Sequence, residues 1–267
     1  MNIFELLNYD FIVRAYVAGS FVAILCAMIG LLLVLRRMSL IGDGLSHVSF
    51  GAIALGLFLG FYPFYVAVPI VIIFSFLILK LTERAKLYGD AAVGIVSSFG
   101  IALGVILASL SKGFNVDLFS YLFGNILAIS AGEVYLSVTL SVLVLLIIVF
   151  FYNDLFATTF DEEYAKVSGV KTKSVNNILF FLTAITVVLA IKVVGIMLVS
   201  ALLVVPAVSA LQISKSFKSG MFFASFFAVL SVLIGVTASF IFDVPAGGMI
   251  VMISLSFFAL AYFLNKI

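Results

Sequence analysis

The chain has 267 residues, of which 65% are hydrophobic and only 10% are charged, and its formal net charge is +2. This composition excludes an ordinary soluble domain, in which about a quarter of the residues are charged. No basic cluster is long enough to form a nucleic-acid-binding surface, so nucleic acid is not an expected partner.

Apolar segments that could cross a bilayer recur along the whole chain. A helix needs about 20 apolar residues to span the hydrocarbon core. Nine such segments are predicted, at residues 11–35, 39–60, 64–81, 91–111, 133–152, 177–192, 194–212, 220–242 and 246–264. The sixth and seventh lie so close together that eight spans is the alternative. The fold expected is therefore all-α, a polytopic helical membrane protein whose residues 1–267 form a single transmembrane domain.

Asp43 and His47 are the ionisable pair of the second apolar segment. His47 is the only histidine in the chain and follows Asp43 by four positions. On a helix these positions share one face, about 6 Å apart along the axis, so a carboxylate and an imidazole can reach one ion together. The pair suits Zn²⁺, and also Mn²⁺ or Fe²⁺. The alternative is a helix-start aspartate with a histidine hydrogen-bonded inside the bundle, and spacing alone leaves both open.

Small residues indicate where helices pack closely. Gly44 and Gly51 lie one heptad apart, and Gly100 and Gly104 form a GxxxG pattern. Small side chains let membrane helices approach each other, so these glycines predict packing contacts. Cys26, the single cysteine, lies in an apolar stretch and is expected to be a small buried hydrophobic residue.

Two stretches interrupt the apolar pattern. Residues 114–130 are apolar but broken by polar side chains, which predicts a short helix or a partial re-entrant segment. Residues 153–176 form the longest hydrophilic stretch. There Thr159 or Asp161 could cap a short helix whose first turn is acidic, and Gly169 could end it. Such a helix is either a docking element or a solvated loop without a partner.

Pro206, in the seventh segment, is expected to bend its helix and free a backbone carbonyl. A purely structural kink is the simpler explanation of this proline. Ser200 and Ser209, on either side of it, are candidates to face a transport pathway.

Basic residues predict the orientation, because cytoplasmic loops of membrane proteins are enriched in Lys and Arg. With the N-terminus outside, 11 of the 14 basic residues fall on the cytoplasmic side, including Arg36 and Arg37. Only Arg14, Lys112 and Lys192 fall on the other side. The hydrophilic stretch 153–176 is then cytoplasmic.

Enzyme motifs such as HExxH, GxSxG and GxxxxGK[ST] do not occur in the sequence. If ATP drives this protein, another chain must bind it. An ATPase-independent secondary transporter, a membrane scaffold and an intramembrane enzyme are the rival classes. No internal repeat supports the first of these, and no set of nucleophile and base supports the last.

Four stretches resemble one family. They are residues 37–47 (RMSLIGDGLSH), 121–130 (YLFGNILAIS), 160–170 (FDEEYAKVSGV) and 195–207 (GIMLVSALLVVPA). Their order and spacing are similar to those of permeases of the bacterial ABC importers for zinc and manganese. The residues around His47 resemble the zinc branch of this family more closely. Manganese or iron is the alternative transported ion.

The resemblance implies a transport subunit in the bacterial cell membrane that has no permanently bound cofactor. It implies a homodimer of permeases, two cytoplasmic ATP-binding subunits and an extracellular or periplasmic metal-binding protein. Asp43 and His47 would lie in the ion pathway. The segment with Asp161, Glu162, Ala165 and Gly169 would couple the permease to the ATPase.

Overall fold

The computed structural model describes residues 9–83, 88–111 and 120–265. In these ranges nine helices are long and apolar enough to cross a membrane, and no strand occurs. The helices are α1 (Asp10–Leu35), α2 (Ile41–Leu59), α3 (Pro63–Glu83), α4 (Gly89–Leu110), α5 (Ala131–Phe150), α6 (Tyr152–Phe160), α7 (Glu162–Val167), α8 (Thr172–Val194), α9 (Val199–Ile213), α10 (Phe217–Phe242) and α11 (Ala246–Asn265). The expectation of an all-α, polytopic membrane protein is confirmed.

Three helices form the centre of the bundle. α1, α2 and α8 bury most of their residues, whereas α4, α5 and α11 leave most of theirs exposed. α1 packs against α10, α9, α5 and α8, while α2 packs mainly against α4 and α3. Because α2 is largely enclosed by protein, polar side chains on it lie away from lipid except on its remaining open face. Cys26 is fully buried in α1, as expected.

The crossing of α2 and α4 depends on glycine. A Cβ placed on Gly51 would lie 2.6 Å from the carbonyl oxygen of Gly100, and one on Gly100 would lie 2.5 Å from that of His47. Both distances are too short for real side chains, so only glycine allows this approach. The packing role predicted for these glycines is thus confirmed, and at Gly100 α4 packs against the backbone of His47.

The sixth and seventh apolar segments are separate helices. α8 ends at Val194, Gly195 has a φ of +84°, and a 3₁₀ turn at Ile196–Leu198 leads into α9. Gly195 packs directly against the backbone of Gly124. The left-handed conformation and the close backbone approach both favour glycine at this break. Of the predicted 114–130 segment, residues 114–119 lie outside the described ranges; a 3₁₀ turn occupies Ile126–Ala128.

An ion pair ties three elements together at the end of the bundle opposite α6. Lys192 Nζ lies 2.6 Å from Glu133 Oε1, and the Tyr62 hydroxyl donates to the same oxygen at 2.6 Å. Lys192 also lies 5.2 Å from the ring centroids of Phe64 and Tyr121. Burial and the neighbouring carboxylate raise the pKa of Tyr62 well above its usual range, so its hydroxyl stays a donor. This cluster fixes α5, α8 and the α2–α3 connection.

Candidate metal site and coupling segment

Asp43 and His47 occupy the first two turns of α2, on one face as their spacing predicts. Asp43 Oδ2 lies 3.5 Å from His47 Nε2. The side chains are 44% and 28% exposed respectively, so both reach an open surface of this single chain. The neighbouring Ser46 is turned away, because its hydroxyl donates to the backbone carbonyl of Asp43.

Ser200 joins this pair from another helix. Its side chain, in the first turn of α9, lies near the Asp43 carboxylate. The approach is possible because Gly42 packs against Leu203, one turn further along α9. Sequence reasoning named Ser200 only as a pathway candidate and did not connect it with Asp43, since nothing in the sequence states which helices meet.

The other two candidates on α9 lie deeper in the protein. Pro206 is buried inside the helix, and Ser209 is buried with its hydroxyl donating to the carbonyl of Val205 at 2.7 Å. The structure therefore brings Ser200, but neither of these residues, to Asp43 and His47.

The spacing of the pair is compatible with a long mutual hydrogen bond and also with shared coordination of a metal ion. The two donor atoms are 3.5 Å apart. Two ligands on adjacent corners of a tetrahedron are about 3.4 Å apart when each lies about 2.0–2.1 Å from zinc. The described residues contain no cluster of three or more His, Cys, Asp or Glu side chains. One chain therefore offers a carboxylate, an imidazole and a hydroxyl, which leaves positions on an ion for other donors.

The predicted cytoplasmic stretch folds into two short helices, α6 and α7, between α5 and α8. Asp161 caps α7 by accepting from the backbone N–H of Tyr164 at 2.8 Å, and Glu162 and Glu163 fill the first turn. Gly169 follows the helix with a φ of +89°. The short helix predicted from the cap, the acids and the glycine is confirmed.

α7 presents nearly all of its side chains outward. Ala165 is the exception and is fully buried, which anchors the helix to the bundle. Tyr164 and Val167 are exposed, as is Phe160 at the end of α6. An exposed apolar surface on a short helix outside the spans is typical of a contact with another protein.

Arg36 connects this segment to the bundle. Its Nε donates to the Thr159 hydroxyl at 3.0 Å, and its Nη1 donates to Asn176 Oδ1 at 2.6 Å. Asn176 in turn donates to Glu162 at 3.0 Å. Burial lowers the pKa of the Arg36 guanidinium from its ordinary value, and the charge of Glu162 acts in the opposite direction. Sequence reasoning used Arg36 only as a topology signal, and no local motif indicated the network.

Comparison with known families agrees with this arrangement of membrane spans. The family model described as "ABC 3 transport family" matches residues 8–265. The chain belongs to the ABC 3 transport family. It is accordingly a transport permease with many membrane spans.

Relatives in the ABC 3 family carry names for two metals. The chain is 33% identical to the manganese transport system membrane protein MntC of Halalkalibacterium halodurans, over 98% of this chain and 89% of the relative. It is 31% identical to the high-affinity zinc uptake system membrane protein ZnuB of Haemophilus influenzae, over 96% and 98% respectively. The expected metal permease is confirmed, but these identities are too similar to separate zinc from manganese.

Two solved structures have the same fold as this ABC 3 permease. PsaBC from Streptococcus pneumoniae in complex with Fab matches with a TM-score of 0.88 and 33% identity, over 98% of this chain and 94% of that one. An inward-facing conformation of a putative metal-chelate type ABC transporter matches with a TM-score of 0.75 at 17% identity, over 94% and 84% respectively, and supports the fold alone.

Proposed function

We propose that this chain is the membrane-spanning subunit of an ATP-driven importer of a divalent transition metal in a bacterial plasma membrane. The observation that carries the proposal is the Asp43–His47 pair, with donor atoms 3.5 Å apart and Ser200 beside them. Ionisable groups within membrane spans are costly and mark ion pathways. A small set of ligands also suits a transporter, because the ion must leave the site again.

Zinc is the cargo we propose first. The donor spacing corresponds to the tetrahedral geometry that zinc prefers, with nitrogen and oxygen ligands. Manganese is the second candidate, because relatives at 31–33% identity are named as manganese transport proteins. Carboxylate oxygen and imidazole nitrogen bind either ion, so the donor types alone do not decide.

A homodimer would complete the site. Asp43 and His47 reach an open surface of one chain, and together with Ser200 they offer three donor groups, which leaves coordination positions unfilled. A second copy that presents the same pair across a two-fold axis would supply the missing ligands and cover this surface. The ion pathway would then run between the two permeases.

Two ATP-binding subunits would dock on the cytoplasmic side, against α7 and the end of α6. The exposed Phe160, Tyr164 and Val167 provide the apolar contact, and Glu162 and Glu163 add charge around it. Closure of the ATPase pair would move these helices, and the permease halves would rock between inward-facing and outward-facing states. A metal-binding protein outside would deliver the ion, which meets Asp43 and His47 before its release inside.

Uptake of radioactive zinc and manganese tests the proposal. The chain is expressed with an ATPase and a binding protein in cells that lack their own high-affinity importers. His47→Ala should abolish uptake of the transported metal. Ser49→Ala is the matched control, because Ser49 lies on the same helix and its hydroxyl donates to the backbone carbonyl of Leu45. Normal uptake by His47→Ala would refute the metal contact, and an assembled wild-type complex that moves neither metal would refute the function.

A further inference from the structure

Arg36 stands at the junction between the coupling segment and the helix that carries Asp43. It follows the last residue of α1, and α2 begins only five residues later, at Ile41. The intervening turn is held by backbone hydrogen bonds from Arg37 to Val34 and from Met38 to Leu33. Arg37 takes a left-handed conformation, with a φ of +58°, to close this turn. A short, hydrogen-bonded connection transmits displacement of Arg36 to the start of α2 with little loss.

The same guanidinium binds the coupling segment on its other side. Thr159 is the penultimate residue of α6, and Glu162 is the first residue of α7. Arg36 bonds Thr159 directly but reaches Glu162 only through the side chain of Asn176, which belongs to α8. Arg36 therefore contacts α6 and α8 directly and α7 through one amide. These three helices and the α1–α2 turn form one corner of the protein.

One guanidinium nitrogen has no hydrogen-bond partner among the described residues. Arg36 Nη2 is buried and makes no such bond there, which is a costly state for a charged donor. Arg36 lines a cavity of about 380 Å³ together with, among others, Thr158, Asn176 and the two acids Glu83 and Glu162. Of these acids, Glu162 is already linked to Arg36 through Asn176, and the cavity leaves room for its carboxylate to approach the guanidinium directly. Arg36 therefore has a second possible pairing.

Building on the proposed function, we propose that Arg36 is a positioning residue that relays movement of the coupling segment to the Asp43–His47 helix by changing partners. In the state described here Asn176 bridges Arg36 and Glu162. When α7 moves inward, Glu162 pairs directly with the free nitrogen of Arg36. The new ion pair pulls the α1–α2 turn toward α7. Asp43 is the third residue of α2, so it shifts with the turn. With two alternative pairings, this corner has two states. Both ATPase movement and metal binding can shift the equilibrium between them.

The test measures metal ions moved per ATP hydrolysed in proteoliposomes that contain the permease with its ATPase and binding protein. Arg36→Gln should lower this ratio about tenfold, a typical size for coupling between two sites, while the complex assembles and ATP hydrolysis continues. Arg36→Lys keeps the charge but cannot bond Thr159 and Asn176 together, so it should recover part of the loss. Lys215→Gln, which removes a positive charge from an exposed residue outside this turn, is the matched control and should keep the wild-type ratio.

A double-mutant cycle tests the exchange of partners itself. Glu162→Gln should lower the ratio, and Arg36→Gln combined with Glu162→Gln should be no worse than the more severe single variant, because both remove one interaction. The relay would be overturned if the losses of the two single variants multiply in the double variant. It would also be overturned if Arg36→Gln keeps a ratio within about twofold of the control. If Arg36→Gln does not assemble, Asn176→Ala decides: a wild-type ratio in that variant overturns the relay, and a lowered one supports it. Failure of the wild-type complex to couple ATP to metal would instead refute the proposed function.

Discussion

Gly100→Ala should damage the proposed metal site, although α4 carries neither Asp43 nor His47. The added Cβ would lie 2.5 Å from the carbonyl oxygen of His47 and 2.6 Å from the Cα of Val48, whereas ordinary contacts begin near 3.4 Å. Backbone cannot rotate away as a side chain can, so α2 and α4 must separate by roughly 1 Å. Overpacking of this kind costs about 1–3 kcal/mol of stability. A displacement of about 1 Å in a catalytic site lowers rates about 100-fold, and we expect metal uptake to fall by one to two orders of magnitude on the same grounds.

Gly94→Ala is the matched control on the same helix. Nothing lies within 4 Å of a Cβ placed there, so the change adds a methyl group without a clash. Uptake of radioactive zinc and manganese is compared at equal permease levels, and thermal unfolding in detergent gives the loss of stability. Equal uptake and equal melting temperatures for the two variants would refute the claim that the α2–α4 crossing holds His47 in place.

The other predictions concern the ion pair and the short helix α7. Lys192→Met leaves the Glu133 carboxylate without its cation and should lower the free energy of unfolding by about 2 kcal/mol. Most of this loss should return in the double variant with Glu133→Gln, as measured by thermal unfolding. A double variant less stable than the single one would contradict this. Ala165→Leu overfills a fully buried position and should uncouple ATP hydrolysis from uptake. Lys166→Leu, on the exposed side of α7, is the control and should leave the two coupled. Retained coupling in Ala165→Leu would count against this docking site.

The spans and the short coupling helix could be predicted because their causes are local. Long apolar segments mark the nine helices, and the cap at Asp161 and the glycine at 169 delimit α7. The one-face arrangement of Asp43 and His47 follows from helical spacing alone. These features depend on residues only a few positions apart, so the local sequence is enough to predict them.

The contacts between helices could not be predicted in the same way. Ser200 approaches Asp43 from a helix more than 150 positions later in the chain, and Lys192 meets Glu133 across 59 positions. Arg36 and Lys192 both looked like charges that only set the orientation. Their pairing depends on which helices pack side by side, and that depends on close approaches such as Gly42 against Leu203, whose partner no local pattern specifies.

The buried cysteine described above makes this permease a favourable subject for spectroscopy. Cys26 is the only cysteine in the chain, it is fully buried in α1, and the chain has no tryptophan. A thiol-reactive spin label or fluorophore should therefore leave the folded wild-type chain almost unlabelled. Cysteines introduced at exposed positions, such as Val167 on α7 and Leu40 before α2, would then carry probes without removal of a native residue. Distances between such probes, with and without nucleotide, would record how far the cytoplasmic corner travels during each cycle.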